Sequence, residues 1–166
     1  MVANKVTHIV NCAGRQVPNH WEAIGVLYLT FNWLDQENQL LFDAQDEITS
    51  RLFDFIDGAL QKAESVLVHS VRGQSRSSCV IAAFLMRKYR WSLLKTLEFL
   101  NSRRPDLEIR ATFIHQLSAY EARLYKQGLG PKTQKWTELS EENHFLESEE
   151  LLLRNTFLNA QMGPIA

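Results

Sequence analysis

Hydrophobic and polar positions divide this chain into short segments of two different periods. Val6-Thr7-His8-Ile9-Val10-Asn11 reads as a strand, followed by a polar loop through Gly14 and Pro18. Val26-Leu27-Tyr28-Leu29 reads as a second strand. From Asp46 to Lys62 the apolar residues Ile48, Leu52, Phe55, Ile56 and Leu60 recur at helical spacing. Val66-Leu67-Val68 is a continuous apolar run, which predicts a strand buried within a parallel sheet. A helix is predicted from Ser77 to about Tyr89, with Val80, Ile81, Phe84 and Leu85 on one face. Ser92 suits the cap of another helix running to about Arg103, and Pro105 separates it from a last one over residues 110–127. Strands alternating with helices, then a run of helices, predict an α/β fold: a central, mostly parallel twisted sheet flanked by helices.

Gly128-Leu129-Gly130-Pro131 marks a break. It divides the chain into a domain over residues 1–130 and a C-terminal extension over 131–166. In that extension Leu139, Phe145, Leu146, Leu151, Leu152 and Phe157 give an amphipathic pattern between Glu138 and Asn159. Such a helix packs on its own domain, or meets a partner or a second copy.

Composition narrows the function. The 166 residues, 45% hydrophobic, suffice for one domain with its own core. A formal net charge of −1 gives no general attraction to nucleic acid or an anionic membrane surface, so neither is an expected partner. The two cysteines, Cys12 and Cys79, lack the spacing of a disulfide framework or a zinc site, which fits a reducing compartment, cytoplasmic or nuclear. No apolar run is long enough to cross a bilayer, and the N-terminus lacks a signal-peptide pattern. His8, His20, His115 and His144 show no ligand spacing, and no metal or other cofactor is expected.

The chemistry concentrates after the third strand, in His69-Ser70-Val71-Arg72-Gly73-Gln74-Ser75-Arg76-Ser77. A phosphate monoester carries about two negative charges near neutral pH. Binding it calls for converging donors without a repelling carboxylate nearby. A tight loop that enters a helix N-terminus supplies backbone N–H groups and a favourable dipole. Val71, Arg72, Gly73, Gln74, Ser75 and Arg76 can form that cradle, with Gly73 allowing close backbone approach. The guanidinium of Arg76 offers a planar fork to two phosphate oxygens. Ser77 also suits a helix N-cap.

This spacing, His-Ser-x5-Arg with a glycine inside it, resembles the signature loop of the cysteine-dependent protein phosphatases, His-Cys-x2-Gly-x2-Arg, and the chain resembles their dual-specificity branch. The likeness runs over about residues 5–127. Val6 to Asn11 resembles that family's Ile-Thr-His-Ile-Leu-Asn strand. Phe55-Ile56-Asp57 and Ala82-Ala83-Phe84-Leu85-Met86 have counterparts there, and Phe113-x2-Gln116-Leu117-x2-Tyr120-Glu121 resembles the last core helix.

The resemblance implies roles. Ser70 stands at the position of the nucleophilic cysteine. His69 helps set the nucleophile's ionisation, Arg76 grips the phosphate, and Ser77 eases breakdown of a phosphoenzyme. A general-acid aspartate precedes the nucleophile on a loop. By order of elements this is Asp35, at 70 − 35 = 35 residues before Ser70, with Asp43 and Asp46 as rivals. Asp46 also suits the start of the following helix. Trp33, close by, either shapes that loop or anchors the core.

Ser70 preserves the shape of such a site but not its chemistry. A hydroxyl ionises far less readily than a thiol, and no base stands ready to activate it. Gly73-Gln74-Ser75-Arg76-Ser77 also departs from the serine-hydrolase elbow at its last position. Two functions follow. One is a dual-specificity phosphatase acting on phosphotyrosine and phosphoserine or phosphothreonine through a Cys-phosphate intermediate, here an inactive Cys-to-Ser substrate trap. The other is a natural pseudophosphatase that binds phosphoproteins. In both, the partner is a phosphorylated protein, a mitogen-activated protein kinase being one family-level expectation.

Two departures from the family bear on structure. The family has a strand pair before its Ile-Thr-His-Ile segment, whereas this chain starts almost on it, so either the natural protein is longer than this chain or the sheet lacks an edge that something else covers. The family also has Pro-Asn-x-Gly-Phe before its last helix. Here Pro105-Asp106-Leu107-Glu108-Ile109-Arg110-Ala111-Thr112-Phe113 takes its place and must support the signature loop in another way. Cys79 reads as a small core residue. Arg103-Arg104 reads as a solvated helix end, favoured there by the helix dipole.

Overall fold

The computed structural model describes residues 6–72 and 74–131. Gly73 and the amphipathic segment between Glu138 and Asn159 lie outside the described residues.

Among the described residues, strand β1 (Val6–Asn11) runs down the middle of a parallel sheet of three strands, between β2 (Leu27–Thr30) and β3 (Ser65–His69). Ile9 and Val10 are fully buried. Register decides function here. Asn11 pairs with Thr30 on one side and His69 on the other, so all three strands end level. The loops that follow them leave from one end of the sheet, the carboxyl end, where open parallel sheets gather their ligands.

The central position of β1 corrects the expectation for Val66-Leu67-Val68. β3 is half-buried, with Leu67 39% exposed, because no described strand pairs along its outer edge. An apolar run signals a strand but does not say whether that strand is central or marginal.

Among the described residues there are four α-helices, α1 (Glu47–Gln61), α2 (Arg76–Lys88), α3 (Leu93–Arg103) and α4 (Ala111–Lys126); α1 and α2 lie against the sheet, and α3 and α4 pack on α2. Helix α2 is the hub, packing against β3 and each of the other three helices. Its first four residues are as buried as its apolar face. The helix that fills the core therefore also presents its N-terminus to the strand ends. Its Met86 shares one core cluster with Trp91, Phe113, Leu117 and Tyr120. Ser92 caps α3 as expected, its hydroxyl accepting the Lys95 N–H at 3.1 Å. No helix among the described residues is long and apolar enough to cross a membrane.

Candidate functional site

Three loops meet beyond the strand ends. The first follows β1. Asn11 is fully buried and organises it: its Nδ2 donates to Val17 O at 2.8 Å and Asn19 Oδ1 at 2.9 Å, while its Oδ1 accepts the Ala13 N–H at 2.9 Å. Gly14 N donates to Phe31 O at 3.0 Å, joining this loop to the segment after β2. A Cβ at Gly14 would lie 2.3 Å from Asn32 Oδ1 and 2.6 Å from Thr30 Cγ2, so a larger residue there would force those side chains to shift. The result aims Gln16 at the signature loop.

The signature loop is the third of these connections, from Ser70 to the start of α2. Arg76 is the first residue of α2 and is 4% exposed. Its Nη1 donates to Gln16 Oε1 and to Trp33 O, each at 2.8 Å. Both hydrogens of Nη1 are thus committed, which fixes the guanidinium and leaves its Nε and Nη2 edge as the fork for an anion. Trp33 fills both of the roles its sequence position allowed. Its ring stacks on Phe31 at 4.4 Å in the core, and its carbonyl holds Arg76.

Ser70 Oγ lies 3.1 Å from Ser77 Oγ. The cap position of α2 is Ser75 rather than Ser77, because the helix starts at Arg76. Ser77 is thereby turned inward, towards the nucleophile position. Burial lowers the pKa of His69, with a backbone hydrogen bond to Ser70 working the other way. The imidazole is therefore neutral at pH 7.

The cavity bounded by these loops measures about 320 Å³ and is lined by Gln16, Asp35, Ser70, Val71, Arg72, Gln74, Ser75, Arg76 and Arg110. Of the three candidate acids, Asp35 stands in its wall. Asp43 and Asp46 are occupied elsewhere. Asp43 accepts the Glu47 and Ile48 N–H groups at 3.0 and 2.9 Å. Burial works to raise the Asp43 pKa, but these amides and Arg123 prevail and hold it below the ordinary carboxylate value. Asp43 therefore caps α1 in place of Asp46. Asp46 occupies the cap position at φ 59°, but its side chain makes no cap bond and turns to α4. There it meets Arg123 Nε at 2.8 Å and Gln127 Nε2 at 3.2 Å.

The segment before α4 supports the loop mainly through backbone groups. Glu108 N donates to Gln74 O at 3.3 Å, Gln74 Nε2 to Asp106 O at 3.2 Å, and Arg110 N to Ser75 Oγ at 3.3 Å. Backbone donors do not require the family's side chains. Arg110 does more, since its Nε donates to Asp35 Oδ1 at 2.5 Å and its Nη1 to Glu37 Oε1 at 3.2 Å. The hydrogen bond with Asp35, foremost, raises the Arg110 pKa above its ordinary value. Gln16 and Arg110 were absent from the sequence-based candidates, and only the departure of the segment Pro105 to Phe113 from the family's Pro-Asn-x-Gly-Phe pointed towards the second.

Neither cysteine reaches the cavity: Cys12 and Cys79 are fully buried and do not line it. Burial pushes the Cys12 thiol up to about 12 despite Arg76, and burial likewise raises Cys79, helped by Cys12 and Asp35. Both are protonated at neutral pH. Among the described residues no group of three His, Cys, Asp or Glu side chains could hold a metal ion.

Comparison with known proteins gives a consistent family. Residues 1–123 match "Dual specificity phosphatase, catalytic domain". The chain is 33% identical over 118 residues to a protein phosphatase Slingshot homolog from Xenopus laevis, covering 71% of this chain and 16% of that protein. It is 36% identical over 116 residues to dual specificity protein phosphatase 1 from Arabidopsis thaliana, covering 70% of this chain and 56% of that protein. The chain thus spans less than two thirds of the length of either relative. A crystal structure of a human DUSP28 variant superposes with a TM-score of 0.66 at 31% identity, covering 76% of this chain and 82% of that one.

Proposed function

This chain belongs to the dual specificity phosphatase catalytic-domain family, and on that premise we propose that its domain binds phosphorylated side chains of proteins without hydrolysing them. The observation that carries this reading is Ser70 lining one cavity together with Val71, Arg72, Gln74, Ser75 and Arg76. A phosphate in the 320 Å³ cavity has the side-on fork of Arg76 and the N-terminal end of α2 to meet it. Electrostatic stabilisation and binding survive the loss of the thiol, whereas covalent transfer does not. Neutral His69 does not supply the positive charge that would favour an oxyanion at Ser70.

The cavity wall lends support to a wide choice of phosphorylated residue. It is partly exposed at Asp35 and Arg110, which fits a cleft open to phosphotyrosine together with phosphoserine or phosphothreonine. The retained Arg76, Ser77 and Asp35 favour a second reading, an active phosphatase whose cysteine was exchanged for Ser70 to trap substrate. The native codon at position 70 separates the two origins.

Titration with O-phosphotyrosine, followed by calorimetry and by release of inorganic phosphate, tests the proposal. Saturable binding with no phosphate release is expected. Either phosphate release or absence of binding by the folded chain contradicts it.

A further inference from the structure

Asp35 poses an electrostatic problem for a site that holds a phosphate dianion. A bare carboxylate in the cavity wall repels the ligand, and two further carboxylates stand close by. An adjoining cavity of about 370 Å³ shares Asp35, Arg72, Gln74 and Arg110 with the first and adds Glu37, Glu108 and Ile109. Arg110 lies on the boundary. It pairs with Asp35 and Glu37, its own N–H reaches Ser75 in the signature loop, and its carbonyl accepts the Phe113 and Ile114 N–H groups at the start of α4.

The other end of the same loop is held without charge. Gln116 of α4 accepts the Leu41 and Phe42 N–H groups at 2.7 and 3.2 Å and donates to Gln39 O at 2.8 Å. The loop after β2 is thus tied to α4 at two points, by an amide at residues 39–42 and by a guanidinium at Asp35 and Glu37.

We propose that Arg110 is a positioning residue of the phosphate cavity: it holds the Asp35 end of this loop against the signature loop and cancels the negative charge that Asp35 would otherwise turn on a bound phosphate. The inference rests on the phosphate-binding reading of the cavity and deepens it. Asp35 becomes a neutralised wall, compatible with holding a dianion rather than with giving it a proton. The pair is partly exposed, so its worth lies in placement and local charge rather than in stability.

A double-mutant cycle tests this on the chain as it stands, with inorganic phosphate as the probe, by calorimetry at low salt. R110A is expected to weaken binding about tenfold, a size usual for directly coupled neighbours. D35N alone is expected to tighten binding, because it removes a carboxylate and leaves the Arg110 charge to the phosphate, and R110A/D35N returns to within about threefold of the parent. A merely structural role for Arg110 would not be rescued by D35N. Unchanged binding in R110A, or failed rescue, overturns the proposal. R110K, which keeps the charge without the fork, is expected to fall between R110A and the parent, and it replaces R110A should that variant not fold. Amide hydrogen exchange without ligand gives a separate arm. Exchange over residues 34–38 is expected to quicken in R110A while Leu41 and Phe42 stay protected, and unchanged exchange contradicts the positioning role. If the folded parent binds no phosphate, the reading of the site fails while this arm still decides whether Arg110 holds the loop.

Discussion

Arg76 and Arg110 both face the cavity beside Ser70, yet the first is 4% exposed and the side chain of the second is 35% exposed. Arg76 belongs to the floor. It opens the helix at the centre of the core, and its partners are a backbone carbonyl and a side-chain amide from two other loops. Arg110 belongs to the rim, where its partners are carboxylates within reach of solvent. The floor couples binding to folding, so a change there costs both. The rim can be retuned by surface charge with little cost to the fold, because exposed ion pairs contribute little stability and are screened by salt.

The largest expected effect breaks the floor. R76A should reduce affinity for phosphotyrosine about 100-fold, as expected for losing two charged hydrogen bonds of ~1.5 kcal/mol each. It should also lower stability in urea melts by stranding Trp33 O. R76K should fail to restore binding, since an ammonium offers no fork. A variant that binds normally would show that the floor is not the phosphate site.

Q16L asks whether Arg76 needs its second anchor. Losing the Gln16 bond should weaken binding roughly tenfold by calorimetry, near 1.4 kcal/mol, with a smaller loss of stability. The R110A defect at the rim should shrink in 0.5 M salt, where the Debye length falls to about 4 Å, while the R76A defect persists. Equal salt sensitivity of the two would erase the distinction between floor and rim.

His69 gives a smaller, pH-dependent signal. Its folded pKa lies below the ordinary 6.5, so the unfolded chain takes up the proton first as pH falls. Its contribution to stability is therefore full above about 6.5 and is lost as pH drops from there towards the folded value. Urea melts at pH 7 and pH 5 should show a smaller drop in H69N than in the parent. Smallest of all, S70A should bind phosphate within about threefold of the parent, the loss of one modest hydroxyl contact. A large loss would mean that Ser70 is itself a main ligand.

Legibility in the sequence followed the reach of each interaction. The strand Val6–Asn11 occurs with the bounds expected, because its pattern and the polar loop after it are local. The signature loop was legible for the same reason, its chemistry lying within nine consecutive residues. Gln16 and Arg110 were not, because their partners lie 60 and 75 positions away and neither residue type carries a periodic signal. The three aspartates illustrate the limit. Element order favoured Asp35, but only the fold assigns Asp43 to the start of α1 and Asp46 to Arg123 of α4. The place of β3 at an edge of the sheet was likewise beyond the pattern, because strand order depends on which strand inserts between two others.

The central claim is that this cavity is a phosphatase site lacking one reactive atom. Its most direct test is S70C assayed with p-nitrophenyl phosphate, whose leaving group departs without needing a proton from Asp35. The account predicts hydrolysis by S70C, none by the parent, and loss of the new activity in S70C/R76A. A folded S70C protein that binds phosphate yet leaves the ester intact would contradict it.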